Sequence, residues 1–144
     1  MLARMSPEQK QLVQQSYAAV EPIAETAAAL FYDRLFELDP SLRMLFKRNM
    51  ANQRKQLMHV IGLAVRGLDN LPALVPVVEQ LGRRHSGYGV RPEHYATVAE
   101  ALLWTLERGL GDAFTPQVRA AWVEVYGVLA STMQQGAQQL PNAA

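Results

Sequence analysis

Four side chains that can move a proton, donate a hydrogen bond or bind a metal fall on stripes that otherwise read as apolar: Tyr32, Gln53, His85 and Tyr95. His85 ends a helical stripe made by Leu74, Val77 or Val78, and Leu81, so its ring points where the core lies. An inward imidazole has to be hydrogen-bonded, paired or used as a ligand, because leaving it unsatisfied is costly. Taken alone it reads as a core histidine bonded to a carbonyl or hydroxyl. Gln53 lies one turn before Leu57 and shares its face, and alone it reads as a satisfied polar group near a helix end. Tyr32 and Tyr95 alone read as core tyrosines with hydroxyl partners. Taken together, the four look like the lining of one polar pocket inside an apolar protein.

The elements that must position them are helical throughout. Ser6-Pro7-Glu8-Gln9 reads as a capping box that opens a helix with Leu12, Val13, Ser16, Tyr17 and Val20 inward. Pro22 opens a second, carrying Ile23, Ala27, Leu30, Phe31, Leu35 and Leu38, with Ala28, Tyr32 and Phe36 widening the arc. Asp39-Pro40 starts a short helix ending near Phe46, and a polar loop is expected from Lys47 to Asn52. The next stripe is Gln53, Leu57, Val60, Ile61, Ala64 and Leu68. Asn70-Leu71-Pro72 begins the helix of His85, which Ser86-Gly87-Tyr88-Gly89 breaks. Arg91-Pro92 starts another, with Tyr95, Val98, Leu102, Leu106 and Leu110 on one face. Thr115-Pro116 caps the last, which buries Val118, Trp122, Val125, Leu129 and Met133. The spacing predicts an all-α domain of about seven unequal helices over residues 1–144, with residues 136–144 as a frayed tail.

Bulk properties remove whole classes of function. With 49% hydrophobic and 19% charged residues the composition is globular, and a net charge of +1 gives no field to recruit nucleic acid. There is no cysteine, which excludes disulfides, thiolate metal sites, a thiol nucleophile and thioether attachment of a cofactor. The N-terminus lacks a signal-peptide core, and the apolar stretches Val60 to Val65 and Leu71 to Val78 fall short of a membrane span, so a soluble, cytoplasmic protein without a membrane partner is expected. Gly87-x-Gly89 and Gly109-x-Gly111 follow no strand and lack a third glycine, so both read as turns rather than a dinucleotide fingerprint. No serine lies in a G-x-S-x-G turn, and no H-E-x-x-H occurs.

Three segments carry a resemblance: Asp39-Pro-Ser-Leu-Arg-Met-Leu-Phe46, Leu81-Gly-Arg-Arg-His85 and Ala120-Ala-Trp-Val-Glu-Val-Tyr126-Gly. In order and spacing they resemble a globin, most closely the bacterial single-domain type, similar to the globin part of flavohaemoglobins. The stretch around His85, with Ala113-Phe-Thr-Pro, also resembles neuroglobin. The resemblance runs from about Ser6 to Met133. It implies the three-on-three globin fold and a non-covalent haem b, with His85 as the proximal ligand to iron. It further implies Phe46 packing on the haem face, Tyr32 and Gln53 as the distal pair that stabilises a ligand, and Leu57 one turn beyond. Tyr95, Val90 and Val98 would complete the cofactor's surroundings. Arg84 stands where the family has a basic residue reaching a propionate, although it reads equally well as an exposed arginine. His59 lies about 200° around the helix from Leu57 and should point away. His94 is expected at the surface.

Such a pocket would hold dioxygen, and also carbon monoxide or nitric oxide, with a phenol and an amide each contributing about 1–3 kcal/mol to a charged ligand. The resemblance also marks a departure. The glutamate that flavohaemoglobins place on the last helix falls at Ala137, so a strong proximal push is not expected and His85 is free to donate to a backbone carbonyl instead. At 144 residues the chain has no room for flavin and nicotinamide domains, so nitric oxide dioxygenation, the alternative function, would need a separate flavin reductase. A further alternative is a haem-free structural or sensor module in which His85 is only core.

Overall fold

A computed structural model describes residues 6–46, 49–87 and 90–138. Every regular element among them is helical: α1 (Pro7–Val20), α2 (Ala24–Leu38), α3 (Met50–Arg66), α4 (Leu71–Gly87), α5 (Pro92–Leu110) and α6 (Pro116–Gln138). Tight 3₁₀ turns at Glu21–Ile23, Pro40–Leu45, Gly67–Asn70 and Gly111–Ala113 complete the order.

Local chemistry sets most of the starts. Ser6 accepts from the Gln9 N–H at 3.1 Å, and the Gln9 side chain accepts from the Ser6 N–H at 3.3 Å, closing the expected capping box. The Asp39 carboxylate receives the Ser41 N–H at 3.1 Å and holds the short Pro40–Leu45 turn. Thr115 accepts from the Val118 N–H at 3.2 Å at the head of α6.

Four expectations change. Pro22 opens a 3₁₀ turn and α2 begins at Ala24, because proline has no N–H with which to continue the hydrogen bonding of α1. The polar loop ends sooner, since Asn49 accepts from the Ala51 N–H at 2.7 Å and caps α3 at Met50; Lys47 and Arg48 lie outside the described residues. The tail does not fray from residue 136: α6 runs to Gln138, with Gly136 buried. Residues 139–144 lie outside the described residues, as do Tyr88 and Gly89 of the expected break. The fourth change concerns α3 and α4. Only the Gly67–Asn70 turn separates them, and Met50–His85 forms a 36-residue run with an 18-residue window of mean hydropathy 1.4. By length and composition this run suffices for a membrane span, which its apolar pieces taken singly did not. Val65, Leu68, Leu74 and Val78 along it are buried in the interior, while 28% of that window as a whole is buried.

The larger core joins Val13, Tyr17 and Val20 of α1 to Val65, Leu68, Leu106, Val118, Trp122 and Val125. Its polar pins are internal. The Trp122 indole donates to the Ser16 hydroxyl at 2.8 Å, that hydroxyl donates to the Leu12 carbonyl at 2.6 Å, and the Tyr17 hydroxyl donates to the Met58 carbonyl at 3.2 Å. The last of these ties α1 to α3. α4 is held against α6 by two glycines: a Cβ on Gly82 would collide with the Met133 backbone, and one on Gly136 with the Glu79 backbone. Bare backbone therefore sets the distance between these helices, and His85 lies one turn beyond Gly82.

Candidate functional site

A second core cluster gathers Phe31, Tyr32 and Leu35 of α2 with Leu42 and Ala101. Phe36, Phe46, Met50, Leu57, Val98 and Leu102 pack around it. Tyr32 sits at its centre, 6% exposed. The rings of Phe31 and Phe46 meet Tyr32 edge-on at 5.1 and 5.3 Å, and Phe36 lies tilted at 6.0 Å. Such edge-to-face pairs fix ring orientation as well as burying area. The Tyr32 hydroxyl points to the backbone carbonyl of Gln53 across 3.5 Å, which joins α2 to the start of α3. Burial pushes the phenol up to about 12, so it stays protonated as a donor.

His85 lies at the end of α4 with its ring half-buried. Its Nδ1 lies 2.8 Å from the Leu81 carbonyl, a geometry that makes Nδ1–H the donor and leaves the Nε2 lone pair unprotonated. Burial pushes its pKa down, against the smaller opposing effect of that carbonyl, so the ring is neutral. Of the two residues offered for the stripe beneath it, Val78 is buried and Val77 is 47% exposed. The chain then turns back, the Val90 N–H donating to the His85 carbonyl at 3.0 Å.

Tyr95, in the first turn of α5, is half-buried, and its carbonyl accepts from the Tyr126 hydroxyl on α6 at 2.7 Å. Burial raises both phenols. Tyr126 was not among the site candidates. Its signal was its place one turn after Trp122, on the inward side of α6. Ala137 is half-buried on α6 and offers no carboxylate.

One sequence expectation is overturned here. His94 is buried, 7% exposed, and its Nδ1 accepts from the Arg91 N–H at 3.0 Å. At the third position of α5 its ring satisfies a donor that the helix leaves unpaired, so the polar side chain folds inward. His59 and Arg84 are exposed. The structure thus unites Tyr32, Phe46, Leu57 and Val98 in one cluster, brings the Gln53 backbone carbonyl to the Tyr32 hydroxyl, and sets Tyr95 against Tyr126.

Comparison with known proteins decides the family. The Globin family profile matches residues 29–133. The chain belongs to the globin family. It is 35% identical over 125 residues to the flavohemoprotein of Bacillus subtilis (strain 168), a match covering 83% of this globin and 31% of that protein. It therefore spans about a third of that relative's length. Neuroglobins of Chaenocephalus aceratus and Tetraodon nigroviridis are each 32% identical, with 94% of both chains covered. Among solved structures, an engineered carbene transferase, described as a putative nitric oxide dioxygenase from Rhodothermus marinus, superposes with a TM-score of 0.84 at 30% identity, covering 94% of this globin and 95% of that chain. A hexacoordinated haem protein from an anhydrobiotic tardigrade superposes at 0.83 with 17% identity, over 94% and 96% of the two chains, and shows the shared fold.

The residues of this globin fit the haem that its family implies. No group of three or more His, Cys, Asp or Glu gathers among the described residues to hold a bare ion. A neutral imidazole with Nδ1 held on the Leu81 carbonyl suits a metal whose other ligands come with it in a macrocycle. Across the protein, the Tyr32 hydroxyl makes only a contact at 3.5 Å, longer than the roughly 2.5–3.0 Å of a good O–H···O bond, so the buried donor keeps capacity for a ligand.

Proposed function

We propose that this globin carries a non-covalent haem b and holds dioxygen tightly, in the cytoplasm. His85 would hold the haem through Nε2, its tautomer fixed by Leu81. Phe46, Leu57, Val90, Tyr95 and Val98 would border the macrocycle, and Arg84 would reach toward a propionate. When bound, the haem supplies an iron with a coordination position open to dioxygen, carbon monoxide or nitric oxide.

The chain's own contribution is a pair of donors in an apolar box. The observation that carries this reading is the buried Tyr32 phenol: protonated, walled by Phe31, Phe36 and Phe46, and only loosely engaged by the Gln53 carbonyl at 3.5 Å. Its ring packing fixes where the O–H points, so little reorganisation is needed when a polar ligand arrives. The Gln53 side chain, half-buried at the start of α3, offers an amide as the second donor. Dry surroundings raise the worth of each bond to about 1–3 kcal/mol, about tenfold or more in ligand release.

Stopped-flow measurement of dioxygen dissociation tests this. Tyr32→Phe or Gln53→Leu should release dioxygen about tenfold faster. Unchanged rates in both variants would refute the distal pair.

A second reading, nitric oxide dioxygenation, is favoured by the description of the Rhodothermus protein as a putative nitric oxide dioxygenase. Dioxygen, nitric oxide and one electron would give nitrate, the electron coming from a flavin reductase. Ala137 weighs against it, since no carboxylate there strengthens His85 as an electron donor. Sustained nitric oxide consumption with added reductase separates the two, because a storage globin reacts once and stops.

A further inference from the structure

Arg43 is exposed on the short turn before Phe46, yet it pairs with no carboxylate among the described residues. The two nearest in sequence are engaged elsewhere. Glu37 holds Arg34 at 3.2 Å, and Asp39 accepts from the Ser41 N–H and hydroxyl at 3.1 and 2.6 Å. The Arg43 guanidinium stands over the ring of Phe36, 5.2 Å from its centroid. Its backbone carbonyl accepts from the Phe46 N–H at 3.1 Å. One residue therefore grips, by side chain and by main chain, two of the rings that surround Tyr32.

Those rings also hold each other. Phe36 and Phe46 meet edge-on at 5.5 Å, Phe46 meets Tyr32 edge-on at 5.3 Å, and Phe36 lies against Tyr32 at 6.0 Å, tilted by 32°. That last contact is the longest and least edge-on of the three rings around Tyr32. Phe36 is also only half-buried, whereas Phe31 is buried. The weakest wall of the phenol is thus the one that Arg43 covers. The charge itself does not reach the phenol: burial raises Tyr32 to about 12, with no contribution from a neighbouring cation. Arg43 acts on the donor by holding a ring.

We infer that Arg43 is a positioning residue for ligand release: its guanidinium pins Phe36, and through Phe36 it keeps the Tyr32 O–H aimed at the ligand. This rests on the distal pair proposed above, since the effect passes only through Tyr32. An exposed cation–ring contact is worth about two- to fivefold in an equilibrium, against about tenfold for the whole Tyr32 hydrogen bond. Arg43 therefore tunes the donor and does not replace it.

Kinetics and aromatic NMR together test this. In haem-loaded protein, Arg43→Gln removes the cation from an exposed site and should release dioxygen about two- to fivefold faster. Arg43→Lys restores a cation over the ring and should release it at the parent's rate. Added to Tyr32→Phe, Arg43→Gln should change nothing further, because its route is gone. The Tyr32 ring signals, assigned by their loss in Tyr32→Phe, should shift in Arg43→Gln and hold in Arg43→Lys, while those of Tyr17 stay in place. A parent rate in Arg43→Gln, an undiminished effect on the Tyr32→Phe background, or unmoved Tyr32 signals would overturn the inference. A Tyr32→Phe variant with the parent's release rate sinks the distal pair instead, and the NMR arm, which reads the ring and not the release, separates the two failures.

Discussion

The Tyr126 hydroxyl of α6 donates to the Tyr95 carbonyl of α5 across 2.7 Å, and so fastens the first turn of the helix that follows His85. Tyr126→Phe keeps the ring and removes the donor. It should cost about 1 kcal/mol and lower the melting temperature by a few degrees. Calorimetry checks this, and a melting temperature equal to the parent's would mean the bond adds nothing.

The close approach of α4 and α6 is expected to be less forgiving. Gly82→Ala pushes a methyl into the Met133 backbone, which cannot swing aside as a side chain can. A loss of about 1–3 kcal/mol or more is expected in urea unfolding, with a disturbed His85 environment because the two residues share a helix. Gly127→Ala, where the methyl meets nothing within 4 Å, should be neutral or up to about 1 kcal/mol more stable. Equal effects at the two positions would contradict the contact.

Alkaline titration tests the burial of the phenols. Tyr32 rises from 10.0 to about 12, and Tyr17, Tyr95 and Tyr126 also rise, each chiefly through burial. A pKa raised by folding stabilises the folded state fully below the unfolded value near 10.0, and that stability is lost as pH climbs toward about 12. Phenolate absorbance of the folded protein should lag behind that of the urea-unfolded chain, and stability should fall through this window. Superimposed titration curves would show that the rings are not buried.

Much of this molecule was legible in its sequence because the signals were local. Ser6-Pro7, Asp39-Pro40, Arg91-Pro92 and Thr115-Pro116 mark helix starts, and the stripe through Leu74 and Leu81 led to an inward His85. The polar loop was drawn too long, to Asn52, because polarity alone does not show which residue caps; Asn49 is the one that caps. His94 was misplaced because polarity argues for the surface, while its helix position gave the ring an inward partner in the Arg91 N–H. Gly82 and Gly136 were invisible, since a glycine in a helix ordinarily reads as a weakness and these two are explained only by a helix distant in sequence. The extension of α6 past residue 136 has the same cause. Tyr32 and Gln53 were seen as a pair, but that the Tyr32 hydroxyl faces the Gln53 backbone took the three-dimensional arrangement to reveal.

The most direct measurement is the visible absorption spectrum of the purified protein, oxidised, reduced and with carbon monoxide, beside that of His85→Ala. Expected is a Soret band with one haem per chain in the parent, and loss of haem or a clearly altered spectrum in the variant. A variant that keeps its haem with the parent's spectrum, or a parent that shows no Soret band after haem is supplied, would contradict the assignment of His85 as the residue that holds the cofactor.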